Sequence, residues 1–361
     1  MRRGVRFGMS IVSLKLSSVV LGPGKRVHAC ALVACQAVLG LARVMGELRR
    51  FPLVLVALSF GLTAASPPGA STGEHRFKTS DGVELWYRVA GPNQGVPVLF
   101  LHGGPGEGSQ AMQAFGGPAL EKQLRMVYLD QRGSGQSERP KDSKYYSLAL
   151  LESDVEAVRQ QLGVPKLVLL SHSAGTPIAL DYAADHPDAV AGLILTGAVP
   201  DLPAAVDALC DRVRAVHPEV YTKAVAAAEP GRKCNAFGAL QGEDQQRFFD
   251  DNMFPDPAVR QRVNWIDHLP GVANSGALGG PLMEQGLTNY RFDRPQRITM
   301  PLLFIGGGKD FQTAIAPQRA LARKVKNGRV LVYPNAGHFM FADQPQRFAN
   351  DVAAFVRQVS R

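Results

Sequence analysis

Between residues 75 and 199, and again from 301 to the end, short apolar runs alternate with stretches of helical spacing. Residues 96–101 (VPVLFL), 126–129, 166–170, 191–196 (AGLILT), 302–305 and 330–333 are runs with few polar interruptions. Such runs fit strands covered on both faces. Residues 75–79 and 83–89 flank Ser80-Asp81-Gly82, a hairpin signal. Residues 147–162 place Leu148, Leu151, Val155, Val158 and Leu162 on one helical face, with Ser147 as the cap. A second helix is expected over 177–184, and a short one from near Ala119.

Strands alternating with helices predict an α/β fold, a mostly parallel sheet with helices on both faces. The alternation stops over 200–297, which is rich in Ala, Gln, Arg and Asp. Helical stretches are expected there at 204–216 and 244–252, with breaks at Pro270-Gly271 and Gly279-Gly280-Pro281. An insertion at this point would lie over the C-terminal ends of the strands, where open α/β sheets bind ligands. The chain thus divides into a core (66–199 and 298–361) and an inserted helical cap (200–297).

A net charge of +9 over 361 residues suggests a polyanionic partner until its distribution is read. Residues 1–50 carry nine Lys/Arg against the single acid Glu47, so the remainder carries only +1. That body has no basic stripe and no aromatic-interleaved charge run, which excludes nucleic acid as a partner. From Met45 the chain reads as a basic n-region, an apolar run over 51–62 and the small residues Thr63-Ala64-Ala65. This is the pattern of an export signal. The run is shorter than the roughly 20 residues of a spanning helix, so no stable membrane anchor is expected after its removal. Residues 1–65 are read as leader, with translation starting near Met45, and the mature protein as periplasmic or secreted. Of four cysteines, Cys30 and Cys35 fall in the leader. Cys210 and Cys234 remain, and in an exported chain they are expected to form a disulfide.

The chemistry concentrates at Ser171-His172-Ser173-Ala174-Gly175, where the 166–170 strand meets a helix through small residues. Such a turn lifts Ser173 to the tip of a sharp elbow. Ser171 as nucleophile would leave Ser173 in the position that close packing reserves for glycine. A serine hydroxyl needs a base, and the base needs an orienting acid. Asp310 follows the 302–305 strand and His338 follows the 330–333 strand, in the order Ser, acid, His. The strand at 96–101 ends in His102-Gly103-Gly104-Pro105-Gly106, whose glycines let backbone amides approach a substrate oxygen. Gly104 and Ala174 are the expected oxyanion donors. His102 is expected to anchor the loop. Gly337 is expected to turn the chain so that His338 leaves its strand toward Ser173. Asp130 and Arg132, in Asp130-Gln131-Arg132-Gly133-Ser134-Gly135-Gln136-Ser137, are expected to satisfy buried backbone groups. No metal-ligand spacing occurs, and no cofactor is implied.

These motifs together resemble the α/β-hydrolase superfamily. HGGPG and DQRGSGQS resemble the prolyl aminopeptidase (proline iminopeptidase) family more narrowly, over about residues 75–200 and 296–361. The resemblance implies Ser173 as nucleophile, His338 as base, Asp310 as orienter, and removal of N-terminal residues, often proline, from peptides. The chain departs from that family at Ser171, where glycine is usual, and at Ala174, where a large aromatic is usual. No motif in 200–297 matches the family's amine-binding acids, although Glu284 and other acids lie there. The reading is an exported serine hydrolase of prolyl-aminopeptidase type, acting through an acyl-enzyme on a small peptide or ester. The alternatives are a carboxylesterase or lipase-like hydrolase of small esters, and a non-catalytic binding protein on the same scaffold. Epoxide hydrolase and dehalogenase chemistry would need Asp at the elbow.

Overall fold

The computed structural model describes residues 70–361 apart from 229, 236–241, 267–268 and 270–276. The leader, its export signal, the start at Met45, Cys30, Cys35 and the Pro270-Gly271 break lie outside the described residues.

One eight-stranded sheet organises the molecule. Its strands are β1 (Gly73–Lys78), β2 (Glu84–Ala90), β3 (Val98–Leu101), β4 (Met126–Asp130), β5 (Leu167–His172), β6 (Val190–Thr196), β7 (Leu302–Gly307) and β8 (Gly328–Tyr333). Their order is β1-β2-β4-β3-β5-β6-β7-β8. β2 pairs antiparallel with β1 and β4, and every other neighbouring pair is parallel. The continuous apolar runs of β3 to β7 are buried on both faces, as read from their pattern, whereas β8, at the edge of the sheet, keeps Val330, Leu331 and Val332 partly exposed. Leu99 and Leu101, Val127 and Leu129, and Leu167 and Leu169 pack on one side. Val98 and Phe100, Met126 and Tyr128, and Val168 and Leu170 pack on the other. Each such burial contributes roughly 1.5–3 kcal/mol.

The helices before the insertion are α1 (Gly117–Leu120), α2 (Leu148–Gln161) and α3 (Gly175–Asp185). Ser147 caps α2, its hydroxyl accepting from the Leu150 amide. The helical segment expected from Ala119 begins earlier, with a π-turn at Met112–Gly116 that runs into α1. Pro118 falls in the first turn of α1. Proline is tolerated in a first turn, where its missing N–H has no intrahelical partner. The glycines are sites of close approach: a Cβ at Gly116 would lie 2.7 Å from Met112 Sδ.

Between β6 and β7 run α4 (Leu202–Val216), α5 (Pro218–Ala226), α6 (Gly242–Met253), α7 (Pro257–Ile266) and α8 (Gly279–Glu284). α8 corrects the break expected at Gly279-Gly280-Pro281, again because proline falls in a first turn. α9 (Ile315–Ala322), α10 (Met340–Asp343) and α11 (Pro345–Val359) complete the chain. Among the described residues, no helix is long and apolar enough to cross a membrane.

The 130–137 loop is more than a set of backbone contacts. Asp130 does satisfy amides, accepting from the N–H groups of Ser109 and Gln136. Arg132, however, forms a buried ion pair with Asp154 of α2 at 2.7 Å and another with Asp81 of the hairpin turn at 2.7 Å. It also donates to Tyr145 O. One guanidinium thereby ties three segments together, and removing one partner of such a pair costs roughly 3–5 kcal/mol.

Candidate active site

Ser173 stands between the end of β5 and the start of α3 with φ +49°, a left-handed conformation that non-glycine residues rarely adopt. Neighbours hold it there. The Ser173 amide donates to Thr196 O at the end of β6 (3.0 Å), and Thr196 Oγ1 donates to Ser171 O (2.8 Å). Gly175 is required by close approach, because a Cβ would lie 2.5 Å from Leu101 O. Ser171 is fully buried, which leaves Ser173 as the reachable hydroxyl of the two.

Asp310 and His338 meet. His338 Nδ1 lies 2.9 Å from Asp310 Oδ2, and both side chains are almost wholly buried. Asp310 also accepts from the amides of Gln312 (2.9 Å) and Thr313 (3.1 Å) and from the Thr313 hydroxyl (2.6 Å). Burial pushes this carboxyl up, but the His338 charge and hydrogen bond, with those from Thr313, outweigh it and hold it below its ordinary value. An ionised carboxylate only accepts, so Nδ1 carries the proton and Nε2 keeps its lone pair. That is the tautomer a general base requires.

The imidazole lies beside the elbow. A Cβ at Gly197, just past β6, would come within 2.8 Å of His338 Nδ1. The His172 ring packs on the His338 ring with centroids 4.5 Å apart, and His172 Nε2 donates to His338 O (3.1 Å). Burial, then the His338 charge, lowers the His172 pKa well below its ordinary value. A neutral ring beneath His338 adds no competing charge. Among the described residues the Ser173 hydroxyl makes no hydrogen bond to His338. In ligand-free sites such bonds are often long and tighten on substrate binding.

Gly103 and Gly104 bring the loop after β3 onto the elbow. A Cβ at Gly103 would lie 2.8 Å from Ser173 Cβ. Gly104, at φ +108°, precedes a cis peptide to Pro105. Gly104, Ser173 and Ala174 line one cavity of about 420 Å³. His102 is buried and holds the loop: its Nε2 accepts from the Gln131 amide (3.0 Å) and its Nδ1 donates to Gly103 O (3.0 Å).

The cavity is roofed by the insertion. Leu202, Ala205 and Leu209 of α4 line it, as do Met283, Leu287 and Tyr290. Cys210 and Cys234 form a disulfide in this segment. The end of α6 reaches the loops that carry Asp310 and His338, where His338 N donates to Met253 O (2.8 Å) and Phe311 N donates to Asn252 O (3.0 Å). At Gly337 the requirement for glycine is proximity: a Cβ would lie 2.1 Å from Met253 O. Sequence reasoning missed His172, Gly197 and Met253. His172 stands inside the motif that it serves, while the other two had no local signal. Among the described residues, no cluster of His, Cys, Asp and Glu could hold a metal.

A sheet of this order, carrying a strained serine at the β5–α3 turn and an Asp–His pair after β7 and β8, defines the α/β hydrolases. Residues 96–345 match the alpha/beta hydrolase fold family, and the chain belongs to it. Among its relatives, a Neisseria gonorrhoeae proline iminopeptidase is 34% identical over 54% of this chain and 61% of its own. A Bacillus subtilis protein bearing the provisional name 2-succinyl-6-hydroxy-2,4-cyclohexadiene-1-carboxylate synthase is 27% identical over 80% of this chain and all of its own. The crystal structure of a proline iminopeptidase-related protein from Thermus thermophilus superposes with TM-score 0.65 at 25% identity, over 81% of this chain and 99% of that one.

Proposed function

We propose that this α/β hydrolase is a serine hydrolase that cleaves carboxylic esters or amides through an acyl-enzyme. The observation that carries the reading is the buried His338–Asp310 pair, which lies beside a strained Ser173 that opens on the cavity with Gly104 and Ala174. His338 Nε2 takes the Ser173 proton as the oxygen attacks the carbonyl. The amides of Gly104 and Ala174 stabilise the oxyanion, each worth roughly 3 kcal/mol. The tetrahedral adduct collapses, and the imidazolium protonates the departing alcohol or amine. Water then enters, gives a proton to His338 and cleaves the acyl ester, restoring Ser173.

The cavity favours an apolar acyl group. Leu202, Leu209 and Leu287 lie on its wall, and none of its described lining residues is acidic. An aminopeptidase must seat a protonated amine, for which a carboxylate is the ordinary partner. The second reading, release of N-terminal residues from peptides, is supported by HGGPG, DQRGSGQS and the proline iminopeptidase relatives. Export to an oxidising compartment belongs to the same proposal, supported by the Cys210–Cys234 disulfide.

A fluorophosphonate probe tests the mechanism. The folded protein is expected to be labelled at Ser173, and Ser173→Ala is expected to abolish labelling. A folded wild type that stays unlabelled would point instead to a binding protein. Parallel rates on prolyl and alanyl 4-nitroanilides and on short acyl esters then decide between peptidase and esterase.

A further inference from the structure

The cavity beside Ser173 carries a charge that the reaction itself does not use. Among its described lining residues, Arg232 is the sole charged side chain. It lies in the loop between α5 and α6, two residues before Cys234, whose disulfide to Cys210 fastens that loop to α4. The next residue along, Asn235, donates its amide to Ala224 O (2.8 Å), a second fastening. The guanidinium is therefore presented on a pinned segment.

Its partner is a neutral one. Arg232 Nη2 donates to Thr288 O (2.8 Å), and Thr288 also lines the cavity. Among the described residues no carboxylate pairs with it. Several other arginines are neutralised, such as Arg132 by Asp81 and Asp154 and Arg294 by Asp181 and Asp185. A guanidinium has five N–H donors, and a single carbonyl occupies few of them. The fork geometry suits a carboxylate.

We propose that Arg232 selects substrates whose acyl part ends in a carboxylate, so that the site takes half-esters or half-amides of short dicarboxylic acids. An apolar stem would lie along Leu202 and Leu209 while the distal carboxylate meets Arg232. The acyl part is the portion retained through both acylation and deacylation, so a contact there serves both steps. The same charge repels a protonated α-amine. The inference rests on the serine hydrolase reading above and names its substrate class.

The test compares mono-4-nitrophenyl glutarate with 4-nitrophenyl butyrate. Wild type is expected to favour the glutarate in kcat/KM by roughly tenfold or more, the worth of one charged hydrogen bond. Arg232→Gln should bring that ratio close to one, and Arg232→Glu should reverse it. Added salt should shrink the wild-type ratio. Equal rates on the two esters in wild type, or a ratio that survives Arg232→Gln, overturns the proposal. Fluorophosphonate labelling separates the failures. A labelled Ser173 with no preference for charge refutes Arg232 alone, whereas an unlabelled folded protein that is inert on both esters refutes the hydrolase reading and this inference with it.

Discussion

Gly103 isolates one contact on which the geometry at Ser173 depends. Its backbone is not in the left-handed region, so alanine can adopt the native conformation there and any effect is steric. The added methyl would lie 2.8 Å from Ser173 Cβ, and 3.2 Å from His172 Nδ1 and His172 O. Carbon pairs rest at roughly 3.5–4.0 Å, so the overlap with the Ser173 side chain is about 0.7–1.2 Å. Either the loop or the elbow must shift by that much. Overpacking of this kind costs roughly 1–3 kcal/mol, and a misplacement of about 1 Å costs roughly 10²-fold in rate. Gly103→Ala is therefore expected to fold, to melt a few degrees lower and to lose roughly 100-fold in kcat/KM on 4-nitrophenyl butyrate. Gly280→Ala is the control, since a Cβ there meets nothing within 4 Å. A Gly103→Ala enzyme with wild-type kcat/KM and melting temperature would refute the packing argument.

Asp310→Asn removes the carboxylate that fixes the His338 tautomer and leaves the shape intact. A drop of about 10³–10⁴-fold in kcat is expected, with KM little changed, and a loss below tenfold would deny Asp310 its role. Glu152, on α2, supplies a test of stability. Burial, then the charges of Asp181 and Asp185, raises its carboxyl to about 7, with Arg294 pulling the other way. The unfolded value is near 4.3, so the fold penalises the charged form and stability is lost as pH rises from about 4 to 7. The full shift corresponds to about 4 kcal/mol, and partial exposure reduces it to about 1 kcal/mol. Glu152→Gln should thus gain about 1 kcal/mol over wild type between pH 5 and pH 8 in urea unfolding. A difference that does not change with pH would contradict the assignment.

What could be read from the sequence was local. The runs that became β3 to β8 announce themselves through continuous apolar residues, and Ser173, Asp310 and His338 each follow such a run. Ser147 and the face of α2 were equally plain, although the buried Asp154 within that helix was not, because its partner Arg132 comes from another loop. The elements misread were the helix expected from near Ala119, which begins earlier, and Gly279-Gly280-Pro281. At the latter, sequence shows a breaker, and only the cap geometry shows that the N–H proline lacks was not needed. Gly197 against the imidazole, Met253 on the His338 loop and Arg232 in the cavity were invisible for a different reason: each matters through residues distant in the chain.

The two carbonyls at the end of α6, from Asn252 and Met253, bond the very loops that carry Asp310 and His338. Because residues of the inserted segment line the cavity, that segment is a natural unit to transplant from one member of the family to another. Such a chimera would have to bring carbonyls of its own to the amides of residues 311 and 338. A donor segment that lacked them would change the choice of substrate and unseat the imidazole in the same stroke.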